Sequence, residues 1–424
     1  MKSRVLIILF LVTAMAGVSR AGGSLDTTFG TGGTYYDSVP TQACFGIYPA
    51  ASATQTDGKV VVVGYIFDKC NYTYSNSSTF SRRLMVRRYL ANGTPDSSGF
   101  GIDGFGAINA GSGISIYGQG YRVVSQSDGS VVVAGIKYGG SGPYGLLGNY
   151  AIVWKFTSSG FLDTSFGSAG VTTFASSFKP SYANALAAYS GKLVVGLSTD
   201  NNTQVRVQRL YSNGSIDPNF GTFAQVITNI DPSQGFDVAV FPRLGDIVVT
   251  GKMPNPDHSS VTEPVVAKYY SNGNIQTLFG GDGRSFYAGC GGDMLLSFDR
   301  VAFQSSGLIL ASSEGIFGNF AAKRYVVQYG TDGHHLPSFG GTPQCGLATS
   351  LPGSIFQLLS DDSFLLNYTR FIHSGFNDGI QDPNFIVTPP PVGWLRTTTT
   401  DPGNGKIVFT TFDNGAIYLT RVLP

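Results

Sequence analysis

Residues able to do acid–base or metal chemistry are few in this chain and badly spaced for it. The four histidines are His258, His334, His335 and His373, and the adjacent pair sits between a turn and a Phe-Gly phrase, the place of solvated turn residues. No histidine has a helical partner or nearby glutamate, and no two cysteines form a CxxC, so no metal site is expected. Glutamate occurs twice, as Glu263 and Glu314. Glycoside hydrolysis needs two facing carboxyls, and the non-repeating loop acids that could supply them are Asp68, Asp257, Glu263, Glu314 and Asp378. Asp26, Asp163, Asp217 and Asp382 recur at one position of a repeat. An active site needs one copy, so a recurring aspartate is expected to cap a loop through its side chain. The sequence thus predicts no catalytic residue, no metal and no cofactor.

Two other residue types carry specific expectations. The cysteines are Cys44, Cys70, Cys290 and Cys345, an even number that suggests disulfides if the chain is exported. Cys44 lies 13 residues before Asp57 and Cys70 lies 12 after Gly58, so a hairpin folded at that Asp-Gly pair brings the two together. The expected bridges are Cys44–Cys70 and, by elimination, Cys290–Cys345. Tyr72, Tyr74, Tyr138 and Tyr144 stand among Ser, Asn and Gly in irregular segments, a mixture suited to stacking on and hydrogen bonding to a polar ligand.

The elements that must position these residues come from a repeat. A phrase ending in Phe-Gly recurs, as in Ser24-Leu25-Asp26-Thr27-Thr28-Phe29-Gly30, Phe161 to Gly167 and Ser215 to Gly221. Its phenylalanines are residues 29, 100, 166, 220, 279, 339 and 385. Between them lie turns that lead into valine-rich runs, such as Gln55-Thr56-Asp57-Gly58-Lys59 before Val60 to Val63, and Gln126 to Ser130 before Val131 to Val133. An Asp-Gly pair flanked by apolar residues signals a hairpin. A short continuous apolar run signals a strand buried on both faces. A third strand follows, for example Leu84 to Tyr89 or Ala151 to Phe156, then an Asn-Gly-type turn, the Phe-Gly phrase and a short fourth strand such as Val171 to Phe174.

Four short antiparallel strands repeated radially predict an all-β fold, a β-propeller of seven blades, with six or eight as alternatives because the sixth unit is short. Residues 22–424 are expected to form one propeller domain. Its N-terminal segment Gly33 to Tyr36 should supply the strand missing from the last blade, beside Ala416 to Arg421. The phrases Gly-x-Leu-Asp-x-x-Phe-Gly and Gln-x-Asp-Gly-Lys-Val-Val-Val-x-Gly resemble the delta-60 repeat family of bacterial surface and secreted proteins. That resemblance implies a propeller-like fold and no particular activity.

Residues 1–21 have the features of a signal peptide: Lys2 and Arg4, an apolar run from Val5 to Val18, and Ser19-Arg20-Ala21 before a cleavage point. The run falls short of the roughly 20 residues that span a bilayer. Charged residues are only 12% of the chain and the net charge is +1, which argues against a nucleic-acid or polybasic membrane partner. The expectation is a secreted or cell-surface monomer, periplasmic or extracellular in a bacterium. It would act as a binding or structural module toward an extracellular protein or polysaccharide. A glycosidase or lyase on the same scaffold is the alternative. Ligand binding is expected on the face carrying the irregular loops Thr41–Tyr48, Phe67–Ser81, Tyr138–Gly148, Met253–Glu263 and Tyr287–Asp293, opposite the regular turns.

Overall fold

The structure, a computed structural model, describes residues 22–37, 45–68, 82–106, 118–138, 149–174, 182–198, 204–287, 294–317, 321–336, 338–341, 346–349, 356–372, 379–388 and 391–424. Among them there is no α-helix, and no helix is long and apolar enough to cross a membrane. The strands, numbered along the chain, begin with β1 (Thr34–Asp37). Blade 1 holds β2 (Phe45–Thr54), β3 (Val60–Asp68) and β4 (Arg82–Tyr89). Blade 2 holds β5 (Gln119–Ser125), β6 (Val131–Tyr138), β7 (Asn149–Phe156) and β8 (Val171–Thr173). Blade 3 holds β9 (Tyr182–Tyr189), β10 (Lys192–Ser198), β11 (Arg206–Leu210) and β12 (Val226–Ile227). Blade 4 holds β13 (Asp237–Val240), β14 (Ile247–Asn255), β15 (His258–Tyr269) and β16 (Arg284–Phe286). Blade 5 holds β17 (Met294–Phe303), β18 (Ile309–Phe317), β19 (Ala321–Tyr329) and β20 (Leu347–Thr349). Blade 6 holds β21 (Phe356–Leu358), β22 (Phe364–Leu366), β23 (Thr369–Ile372) and β24 (Ile380–Gln381). Blade 7 holds β25 (Trp394–Thr400), β26 (Ile407–Asp413) and β27 (Ala416–Val422), with β1 as its outer strand.

The chain is therefore a seven-bladed β-propeller, and the alternatives of six or eight blades fall. The first strand of each blade is innermost: β2 touches β25 and β5, β9 touches β5 and β13, and β13 touches β17. Blade 1 has three strands among the described residues, and its outer edge there is a bridge between Arg87 and Phe105 and a hydrogen bond from Gly106 N to Val86 O. β1 pairs antiparallel with β27, Thr34 opposite Thr420 and Asp37 opposite Ile417, the position expected from the two incomplete units.

The core lies between the blades. The second strands carry it, because each is covered by a neighbouring sheet on both faces: Val60 to Val63 and Val131 to Ala134 are wholly buried. Their burial is stabilising, at about 25 cal/mol per Å² of apolar area removed from water. A β-bulge recurs in the innermost strands, at Pro49/Ala51, Gly120/Arg122, Phe298/Arg300 and Leu395/Thr397. In blades 1 and 2 the bulged strand presses on the glycine that ends the valine run. A Cβ on Gly64 would lie 1.9 Å from Tyr48 O, and one on Gly135 would lie 2.0 Å from Gln119 O.

The Phe-Gly phrases join neighbouring blades. Phe29, Phe100, Phe166, Phe220, Phe279 and Phe339 are each no more than 1% exposed. The following glycine N–H donates to a carbonyl in the next blade's third turn: Gly30 to Asn92 (2.6 Å), Gly101 to Ser159 (2.7 Å), Gly167 to Asn213 (2.7 Å), Gly221 to Asn272 (2.8 Å) and Gly280 to Asp332 (2.8 Å). Each recurring aspartate caps its loop as expected: Asp26 Oδ1 accepts from Thr28 N, and Asp217 Oδ1 from Asn219 N. It has a second role. A cation on the third strand grips it, as in Arg88–Asp96 (2.8 Å), Lys155–Asp163 (3.1 Å), Arg209–Asp217 (2.7 Å) and Arg421–Asp26 (2.8 Å). The same cation reaches the next blade. Arg88 Nη1 donates to Ser158 O (2.6 Å), Arg421 Nη1 to Ala91 O (2.5 Å), and Arg209 Nη1 to Ser271 O. It also lies over the phrase's own ring, Arg88 over Phe100 at 4.3 Å and Arg421 over Phe29 at 4.6 Å. One Asp–cation–Phe unit thus locks adjacent blades together.

Candidate functional site: the aromatic mouth of the propeller

In an antiparallel blade successive connections emerge on opposite faces. The Asp-Gly turns and the Phe-Gly connections share one face, and the starts of the first and third strands share the other with the end of the second. Tyr138 ends β6 on this second face and is half-buried. Tyr72, Tyr74 and Tyr144 lie outside the described residues, as do Cys44, Cys70, Cys290 and Cys345.

Tyr138 belongs to a larger cluster that sequence reasoning did not assemble. Its hydroxyl accepts from Arg82 Nη1 (3.4 Å) and donates to Gln119 Oε1 (3.3 Å), which also accepts from Arg82 (3.1 Å). The Arg82 guanidinium lies over the Tyr65 ring at 4.8 Å. Tyr65 stacks on Tyr48 at 4.9 Å, and Tyr48 meets Phe412 of blade 7 at 4.8 Å. Arg396 lies 5.7 Å from Phe412, and Tyr121 faces Tyr182 of blade 3 at 6.2 Å. These rings come from blades 7, 1, 2 and 3, so the twist between blades spreads them along an arc around the axis. Trp394 stands at the start of β25, opposite Phe412 in register, and is 76% exposed.

The electrostatics are those of a neutral aromatic surface carrying fixed cations. Burial raises the Tyr65 and Tyr121 hydroxyls above their ordinary range, so both stay protonated and able to donate. Burial works against the Arg82 charge, but Tyr138 and Tyr65 outweigh it and raise its pKa, so the cation is fixed. Aromatic contacts of this kind contribute about 0.5–1.5 kcal/mol each.

The carboxylates do not assemble into a hydrolytic pair among the described residues. Glu263 is buried and its Oε2 accepts from Asn255 Nδ2 at 2.7 Å, while Asp257 is exposed. Both belong to one long hairpin, because Met253–Glu263, expected as a loop, continues the ladder from Met253 opposite Glu263 to Asn255 opposite His258. The side chains of Asp68 and Glu314, and the whole of Asp378, lie outside the described residues. His334 pairs with Asp332 in solvent, and His335 turns inward beside Tyr287 and Tyr329. Among the described residues no three His, Cys, Asp or Glu side chains gather where a metal could sit.

Comparison with known proteins gives one short sequence match. Residues 190–220 match a family model described as "Domain of unknown function (DUF5122) beta-propeller". That stretch runs from the Ser190-Gly191 turn through β10 and β11 to Phe220, which is the part of the repeat that builds the core and the inter-blade lock. No curated protein matches the chain. Among solved structures the chain is similar to the polysaccharide lyase Uly1, at 10% identity and a TM-score of 0.44, covering 91% of this chain and 90% of that one. It is also similar to the β-propeller domain of the Trilobed protease from Pyrococcus furiosus, at 8% identity and TM-score 0.42, covering 89% and 93%. A glucose dehydrogenase matches at 11% identity and TM-score 0.38, covering 90% and 98%. The fold assignment rests on the strand pairing rather than on these likenesses.

Proposed function

We propose that this protein is an exported β-propeller of the delta-60 repeat type that binds a polar, ring-bearing extracellular polymer, a polysaccharide, on its aromatic mouth. The observation that carries the reading is the arc Phe412–Tyr48–Tyr65–Arg82–Tyr138, in which half-buried rings from three adjacent blades flank one fixed cation. Flat tyrosine faces stack on sugar rings at low entropic cost, and neighbouring hydroxyls and guanidinium groups satisfy sugar hydroxyls or carboxylates. Binding rather than turnover is favoured by Glu263, one of the few loop acids, which is buried and held by Asn255. Export follows from the features of residues 1–21. The Cys44–Cys70 bridge is proposed from the blade 1 hairpin, which brings together the chain segments leading to the two cysteines, Phe45 opposite Asp68.

A polysaccharide array run on purified protein tests this, with a hydrolysis and elimination assay on the same polymers. The expected result is saturable binding without product. Trp394→Ala and Tyr138→Ala should each weaken it about tenfold while leaving the unfolding temperature within a few degrees. Binding unaffected by both substitutions would place the ligand elsewhere, and released oligosaccharide would make the protein an enzyme. Amino-terminal sequencing of exported protein should start at Gly22.

A further inference from the structure

The innermost strands enclose a cavity of about 250 Å³ on the propeller axis, lined by residues of β2, β5, β13, β17, β21 and β25. Three arginines reach it from three blades: Arg122, Arg300 and Arg396. The bulges put them there. Arg122 and Arg300 immediately follow the extra residue in β5 and β17, and Arg396 is itself the extra residue in β25. A bulge bends its strand and re-aims the side chains beside it. The cavity's lining includes one carboxylate, Asp237, against three guanidinium groups.

These cations are under-compensated. Arg88, Arg209, Arg324 and Arg421 each make an ion pair with an aspartate. The hydrogen bonds that Arg122 and Arg300 make among the described residues go to neighbouring carbonyls, Arg122 Nη1 to Tyr121 O (3.1 Å) and Arg300 Nη1 to Asp299 O (2.7 Å). Asp299, the nearest acid in sequence, is held by Arg324. Asp237 accepts from Val301 N at 3.3 Å and is shared between the fields of Arg122 and Arg300. Burial, and then the repulsion of Arg300, bring the Arg122 guanidinium down to about 10, so it remains charged at neutral pH. Thr398 adds a donor: it lines the same cavity, is 4% exposed, and its Oγ1 has no hydrogen-bond partner. Three cations that share one carboxylate leave positive charge uncompensated, and planar guanidinium groups match two-oxygen acceptors.

We infer that the axial cavity is a binding site for a small oxyanion, a carboxylate, phosphate or sulfate group, held between Arg122, Arg300 and Arg396 with Thr398 donating. The site shares Arg396 with the aromatic mouth but does not depend on the polymer reading. Isothermal titration and thermal unfolding of the purified protein, with inorganic phosphate, sulfate and glucuronate against sodium chloride at matched ionic strength, decide it. At least one oxyanion should bind one-to-one and raise the unfolding temperature, the identity of the tightest separating the three sources. Arg122→Gln and Arg300→Gln should each weaken that binding about tenfold or more. Neither should lower the unfolding temperature in chloride alone, because each removes a repulsive charge. Asp237→Asn should tighten binding by removing the competing carboxylate. Equal stabilisation by chloride and the oxyanions, or oxyanion binding unchanged in both arginine variants, would overturn the proposal.

Discussion

Asp96, Asp163 and Asp217 are each gripped by a cation eight positions earlier, Arg88, Lys155 and Arg209. The same spacing separates Lys268 from Gln276 and Gln328 from Leu336, and in all five cases the later residue's N–H donates to the earlier one's carbonyl. The recurring aspartate is legible in the sequence, and its partner is marked there only by the constant spacing of eight. Blade 5 is instructive, since losing the acid to Leu336 goes with losing the cation to Gln328. Arg88→Gln alone would leave Asp96 buried without its counter-ion, and we expect a loss of about 3–5 kcal/mol in urea unfolding. Arg88→Gln with Asp96→Leu, copying blade 5, should cost clearly less than the single change. An additive double mutant would mean that the pair is not coupled. These aspartates also set the acid limit. Burial opposes the charge of Asp26 and Asp217, yet hydrogen bonds and cations hold both carboxyls well below the usual range. Their stabilisation is complete above the unfolded value of about 3.9 and is lost as pH falls through the folded values. The unfolding temperature should therefore change little because of them from pH 5 to 8 and fall steeply below about pH 4. Acid titration followed by circular dichroism checks this, and a melting temperature that holds steady down to pH 2 contradicts it.

Single strands were the most legible elements. The valine runs and Asp-Gly turns fixed β3 and β6 because burial on both faces leaves a continuous apolar signature. The β14–β15 extension is hidden in the sequence because Pro254 and Pro256 read as loop residues, yet Pro254 sits opposite Thr262 at an irregularity of the ladder, where a missing donor is tolerated. The bulges carry no signature of their own, although the glycine after the valine run marks two of them in retrospect. Glycine substitutions separate contact from backbone strain at the turns. Gly160 has φ +82°, and a Cβ there would lie 2.4 Å from Gly101 N and 2.6 Å from the Phe100 ring. Gly160→Ala should cost about 2–3 kcal/mol, since both conformation and space forbid it. Gly32 has φ +63° with open space around it, so Gly32→Ala should cost about 1 kcal/mol. Equal losses in denaturant titrations would show that the inter-blade contact at Gly160 contributes nothing.

At the level of the whole molecule, ring closure followed from two incomplete units, while the axial arginines stayed hidden because each occurs once and a periodic reading discards what does not repeat. Closure involves more than the β1–β27 ladder. Asp37 at the end of β1 accepts from Arg87 Nε (2.9 Å) and Tyr89 Oη (2.7 Å), which ties the closing strand to blade 1. Removing residues 22–37 should strip that blade of its neighbour's edge and replace one sharp unfolding transition with a broad one or with aggregation. Unchanged, cooperative calorimetric unfolding of the truncated protein would show that the ring does not need the strand. The seam has a mechanical consequence. Gly23 N donates to Leu423 O at 2.9 Å and Leu423 N to Ser24 O at 2.9 Å, so residues at the two ends of the ring lie side by side where antiparallel pairing starts. Tension applied between residues 22 and 424 meets these bonds one at a time, as a zip does, rather than loading the ladder in shear. Anchored by one end, the propeller transmits no pull through its seam; stretched between both, it should open there first, at low force, with blades 2 to 5 still folded.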